Sequence, residues 1–124
     1  MNKNNSLEVI KDCTTYIKNH LQDTLTAESL ASRYGYSLYH FCHIFKICCD
    51  MSPGKYIRLL RLEKAKKDIL SGMSITQAGF DNGFETSSGF SKAFRKEYGI
   101  SAREYLKQNK ESEVLIMLHV EIKT

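Results

Sequence analysis

The sequence predicts an all-α chain: two helix-turn-helix lobes joined by a long central helix. Three observations predict this. One is the uninterrupted stretch 52–72, SPGKYIRLLRLEKAKKDILSG. Another is the spacing of a small residue, a glycine and apolar positions in 27–46, AESLASRYGYSLYHFCHIFK. The third is that this spacing returns in 74–107.

The central stretch opens with Ser52 before Pro53, an N-cap followed by the residue that fits the first helical position without losing a bond. It closes at Gly72, the residue type that most easily leaves a helix in the left-handed conformation. About 18 residues between them make a helix of roughly 27 Å. Tyr56, Ile57, Leu59, Leu60, Leu62, Ala65, Ile69 and Leu70 cover more than half of its circumference. A one-sided surface helix needs a narrower stripe, so this one is expected to pack against both of its neighbours in the chain, as a rigid spacer. Lys55, Arg58, Arg61, Lys64, Lys66 and Lys67 are read as solvated side chains lying along it, against Glu63 and Asp68.

Upstream, Leu7, Ile10, Cys13 or Thr14, Ile17 and Leu21 recur at helical spacing, which predicts an amphipathic helix over 6–21 capped by Asn5 or Ser6. The polar QDTLT segment, 22–26, breaks it. In 27–46, small Ala31 lets a second helix approach, Gly35 supplies the positive-φ corner, and Leu30, Phe41 and Ile44 lock the pair. Ser37 can cap the second helix. A plain helical hairpin would show the same spacing, and the second copy decides between them. A shift of 49 carries Phe41 onto Phe90, Phe45-Lys46 onto Phe94-Arg95 and Tyr56-Ile57 onto Tyr105-Leu106. Before the turn the shift is 48, Gly35 onto Gly83, so the second turn is one residue longer, where an insertion costs little. Ser74 with Gln77, and Ser101 with Glu104, fit capping boxes, and Thr86 or Ser87 can cap the helix after the second turn.

At 124 residues the chain has room for one domain or two small lobes sharing a core. No apolar run reaches the ~18 residues of a membrane span, and MNKNNSLEVIKD has no signal-peptide core; a soluble, cytoplasmic protein with no membrane partner is expected. The net charge is +4, with 16 Lys/Arg against 11 Asp/Glu in 1–107. That mild excess suits a nucleic-acid partner without demanding one. Cys13, Cys42, Cys48 and Cys49 read as free thiols in helical segments. With His40 and His43 they lack a recognised zinc spacing, so no metal and no cofactor is assigned. There is no phosphate loop, carboxylate pair or GxSxG nucleophile, and an enzyme is not expected.

Taken together, SPGKYIRLLRLEKAKKDIL followed by SI…GF…FSKAFRKEYGISAREY resembles the DNA-binding domain of the AraC/XylS family of bacterial transcription regulators. The likeness covers about residues 7–106. It implies seven helices, a domain over 1–107 (lobe one about 6–51, linker helix 52–72, lobe two about 73–107), and one recognition helix per lobe for the DNA major groove. It implies double-stranded DNA as partner, with RNA polymerase a candidate second partner. The chain departs from the family where Ala78-Gly79 stands for Ile-Ala and Asn82 for an aliphatic, which predicts a looser second lobe.

In the helix over 37–48, Phe41, Ile44 and Phe45 face inward and Leu38, Tyr39, Cys42, His43 and Lys46 are left outward. Tyr39, Cys42 and His43 match base-reading positions of the family, and Lys46 suits a phosphate. In 86–97, Phe90, Ala93 and Phe94 face inward; Ser87, Ser88, Ser91 and Lys92 match base-reading positions, and Arg95 and Lys96 suit phosphates. Held about one helical turn apart, roughly 34 Å, the two helices are expected to read successive grooves on one face of a site of about 20 base pairs.

After Leu106 the polar KQNKES and then EVLIMLHVEIKT are read as a linker or tail, 108–124, in which Leu118, Val120 and Ile122 alternate with His119, Glu121 and Lys123 as in a β-strand. Such a strand suits the start of a further effector domain, which some AraC-like regulators carry; a small-molecule effector enters only with that domain. An exposed strand edge pairing two copies through 114–122 is the other expectation. Two alternative classes share the fold: a redox- or metal-responsive regulator sensing through Cys42, Cys48 and Cys49, and an interaction module that has lost DNA binding.

Overall fold

The computed structural model describes the backbone of residues 3–123 and the side chains of 5–111 and 114–119. Among the described residues seven helices follow in order: α1 (Lys3–Asn19), α2 (Ala27–Arg33), α3 (Leu38–Cys49), α4 (Pro53–Leu70), α5 (Ile75–Asp81), α6 (Ser87–Tyr98) and α7 (Ala102–Lys123). No strand occurs among the described residues. The chain divides between Arg61 and Leu62 into two compact units, each with its own core.

The first unit is built on Ile10, Cys13 and Ile17 of α1, Leu30 and Ala31 of α2, Phe41, Ile44 and Phe45 of α3, and Ile57 of α4. Ile10, Cys13 and Ile17 fall about one helical turn apart and are buried, as periodicity predicts, whereas Leu7 at the head of the same stripe is 44% exposed. Its start differs from expectation: the helix is already formed at Lys3, so Asn5 and Ser6 lie inside it rather than capping it. α2 carries a complete capping box, with Thr26 and Ser29 exchanging side-chain bonds to each other's backbone N–H. Arg61 is not a merely solvated cation. Its Nε donates to the Leu21 carbonyl at 3.0 Å and its Nη2 to that of Asp23 at 2.8 Å, which ties α4 to the loop after α1. Tyr34 donates to Asp12 at 2.6 Å, and the Arg33 guanidinium lies 3.9 Å from the Tyr16 ring centre.

The second unit repeats this plan around Leu62, Ala65 and Ile69 of α4, Ala78 of α5, Phe90 and Phe94 of α6 and Ala102 of α7. The repetition extends to single hydrogen bonds. At the first turn Tyr36 N–H donates to Ala31 O and Gly35 N–H to Ser32 O; at the second, Phe84 N–H donates to Gly79 O and Gly83 N–H to Phe80 O. Both are Schellman turns with glycine in the left-handed conformation, at φ 74° for Gly35 and 92° for Gly83. The extra residue falls after the second glycine, before the Thr86 cap of α6. Ser74 and Ser101 accept from the N–H groups of Gln77 and Glu104. The Ser74 box is only half made, because the Gln77 side chain donates to Asp81 at 2.6 Å instead of reaching back. Tyr98 donates to Glu63 at 2.7 Å beneath Lys66, which fastens the end of α6 to α4; that bond holds the Glu63 carboxyl below its usual range.

The two departures in α5 have structural reasons. A β-carbon on Gly79 would stand 2.8 Å from Cγ and Cδ2 of Phe90, so glycine is what lets this ring lie on the helix backbone. Asn82 is 0% exposed, and its Nδ2 donates to Asp68 Oδ2 at 2.9 Å and to Ala78 O at 2.8 Å, pinning the turn to α4.

The tail corrects the expected strand. Residues 108–123 continue α7. No glycine or proline interrupts the chain from Ala102 to Lys123, and Leu, Met, Lys, Gln and Glu favour helix. The alternation over five or six residues is too short to outweigh this. The strand edge expected to pair two copies is therefore not formed; the side chains of Val120, Glu121, Ile122 and Lys123 lie outside the described residues. Val114, Leu115, Ile116, Met117 and Leu118 are exposed on the helix.

Gly79→Ala gains about 1 kcal/mol of helix propensity but must displace the Phe90 ring, at roughly 1–3 kcal/mol. The expected result is a lower Tm; a raised Tm in a thermal melt would show that the ring moves aside freely.

Candidate nucleic-acid interface

Each turn delivers a helix with two faces. In α3 the N-cap Ser37 accepts from His40 N–H at 3.2 Å, and Phe41, Ile44 and Phe45 are buried. The opposite face leaves Leu38, Tyr39, His43 and Lys46 exposed, Tyr39 at 82%. The Tyr39 and His43 rings are nearly parallel, 4° apart with centres 6.2 Å apart, which forms an aromatic ridge one turn long. Cys42 is corrected: it is half-buried and packs against the first core, so it lies at the edge of the outward face rather than on it. Ile47, 69% exposed, continues the line of Tyr39 and His43 at four-residue spacing. It is absent from the expected site residues; the signal for it is its position on that stripe, against its apolar character.

In α6 Thr86 caps through Gly89 N–H at 2.9 Å, and Phe90 and Phe94 are buried with ring centres 5.9 Å apart. Ser87, Ser88, Ser91, Lys92, Arg95 and Lys96 are all exposed. Ser91, Lys92 and Arg95 line an open cleft of about 570 Å³ with Thr76 of α5 and Ser101 and Arg103 at the start of α7. Arg103 is also absent from the expected site residues, since nothing in a spacing argument distinguishes a cation in the first turn of a surface helix.

A profile of the helix-turn-helix domain, of AraC type, matches residues 30–108, which spans both turns. The chain belongs to the AraC/XylS family. Its relatives are regulators and not enzymes. The right origin-binding protein of Escherichia coli K12 is 29% identical over 91 residues, covering 73% of this chain and 32% of that protein. The transcriptional activator RhaS of Escherichia fergusonii is 33% identical over 90 residues, covering 72% and 32%. This AraC-type chain thus spans about a third of the length of these curated relatives. Among solved structures, the C-terminal domain of AraT, a response regulator from Geobacillus stearothermophilus, superposes with a TM-score of 0.77 at 27% identity, covering 81% of this chain and 84% of that one.

The thiols give the redox alternative no support. Burial pushes Cys13 up to about 12, and burial also raises Cys49, both away from the thiolate that reacts. Among the described residues no three His, Cys, Asp or Glu side chains are grouped as metal ligands, and no described helix is long and apolar enough to cross a membrane. Alkylation of the folded protein with iodoacetamide, followed by mass spectrometry, is expected to modify exposed Cys48 first and to spare Cys13 until the protein unfolds. Early labelling of Cys13 would contradict the burial of α1.

Proposed function

We propose that the chain is a sequence-specific double-stranded DNA-binding transcription regulator that reads two successive major grooves, one with α3 and one with α6. The observation that carries this reading is the duplication itself: each unit buries a phenylalanine stripe and leaves a polar or aromatic helix face uncovered next to a capped turn. Family membership and the mild positive charge support it.

The two faces suit different base edges. Leu38, Tyr39 and Ile47 offer apolar surface to thymine methyl groups, Cys42 adds a marginal contact at the edge, and His43 supplies a ring nitrogen. On α6, Lys92 suits guanine, the commonest specific partner of a cation in the major groove, and Ser87, Ser88 and Ser91 make short, weakly discriminating contacts. Lys46, Arg95 and Lys96 hold backbone phosphates. RNA polymerase is the second partner that activation calls for, and an effector would need a further domain.

Lys92→Ala is expected to weaken binding to a duplex selected from random sequence about 5- to 150-fold, the weight of one good base contact at ~1–3 kcal/mol, and to relax preference at one position. His43→Ala is expected to act on the other half-site. Hydroxyl-radical footprinting should protect two grooves within about 20 base pairs. Unchanged affinity in both variants favours the interaction module; protection of one groove overturns the bipartite mode.

A further inference from the structure

We propose that the cleft between α6 and the start of α7 is a seat for a DNA backbone phosphate, that Arg103 is its decisive residue, and that the first unit has no equal to it. This rests on the DNA-binding reading and adds to it a residue and an asymmetry.

The cleft brings three cations together, Lys92 and Arg95 from α6 and Arg103 from α7, with the hydroxyls of Thr76, Ser91 and Ser101. Among the described residues no carboxylate lines it. Arginine suits this role because its planar fork meets two phosphate oxygens at once. The α7 N-terminus adds the partial positive charge of its first-turn N–H groups. Lys92 lines the same cleft, so a phosphate seated there fixes the register of the side chain assigned to a base edge.

The duplication supplies an internal control. The shifts of 48 and 49 residues place Glu28 where Thr76 stands, His43 for Lys92, Lys46 for Arg95 and Gly54 for Arg103. The first unit therefore offers one permanent cation and one carboxylate at the positions where the second offers three cations and none. The two reading heads differ in kind: the second grips the backbone, while the first, with its aromatic ridge of Tyr39 and His43, depends on base contacts.

The test measures binding of the full chain to a fluorescein-labelled 30-base-pair duplex of mixed sequence and to the selected duplex, by anisotropy, between 50 and 200 mM KCl. Arg103→Ala is expected to weaken both duplexes by the same factor and to reduce the slope of log K against log salt by about 0.9, one phosphate's worth, with Tm unchanged. Lys18→Ala, an exposed cation on α1, is the control and should leave the slope as it was. An unchanged slope in Arg103→Ala, or an equal fall in Lys18→Ala, overturns the proposal while wild-type binding keeps the DNA reading intact. No wild-type binding to either duplex at 50 mM salt overturns that reading and this one with it. Inorganic phosphate at 10 mM and constant ionic strength should leave duplex affinity within twofold; an Arg103-dependent rise in Tm with displacement of the duplex would make the cleft a free-anion site and refute the backbone assignment.

Discussion

The Phe90 ring lies where a side chain on Gly79 would have to be, and the arrangement of the second unit depends on that contact. With a hydrogen in place of a methyl, α6 packs its aromatic stripe directly on the backbone of α5. Phe94 then meets Tyr98 and Tyr105 with ring centres 4.6 and 5.8 Å away, and α7 is fixed through Ala102. In the first unit the equivalent position is Ala31, buried in one core with Phe41. A left-handed glycine one turn later closes each pair with the same two hydrogen bonds. Packing, rather than intrinsic propensity, decides these elements: α2 and α5 have only seven residues each, too few to be stable alone.

Much of this is legible in the residues. The two glycine corners, the Ser37 and Thr86 caps, the phenylalanine stripes and the limits of α4 all express local rules with strong sequence signatures. What is not legible depends on tertiary context. Gly79 and Asn82 read as losses of buried area, yet one makes room for an aromatic ring and the other pins a turn by two hydrogen bonds. Asn82 is an imperfect device, since its Oδ1 is buried without a protein donor. Alternation in 118–123 suggests a strand, but an unbroken run of helix formers from Ala102 prevails over so short a pattern.

On α3 and α6 the inward residues are the secure part of the reading, because burial is dictated by a repeating period. The outward residues come by subtraction, which explains two discrepancies. Cys42 sits at the boundary between faces, and a wheel has no way to show which side a half-buried residue joins. Ile47 is easily set aside because an apolar residue is expected to be interior, although one exposed isoleucine is unremarkable by itself. Arg103 escapes for a different reason: it joins the cleft only through the placing of α7 beside α6, a relation of tertiary structure rather than of spacing.

The division of α3 and α6 into a buried stripe and an uncovered one separates two kinds of evolutionary freedom. Substitutions among Ser87, Ser88, Ser91 and Lys92, or among Tyr39, His43 and Ile47, leave the aromatic stripes untouched. The uncovered stripe can thus change without crossing a fold-destroying intermediate, and each copy can diverge at its own pace.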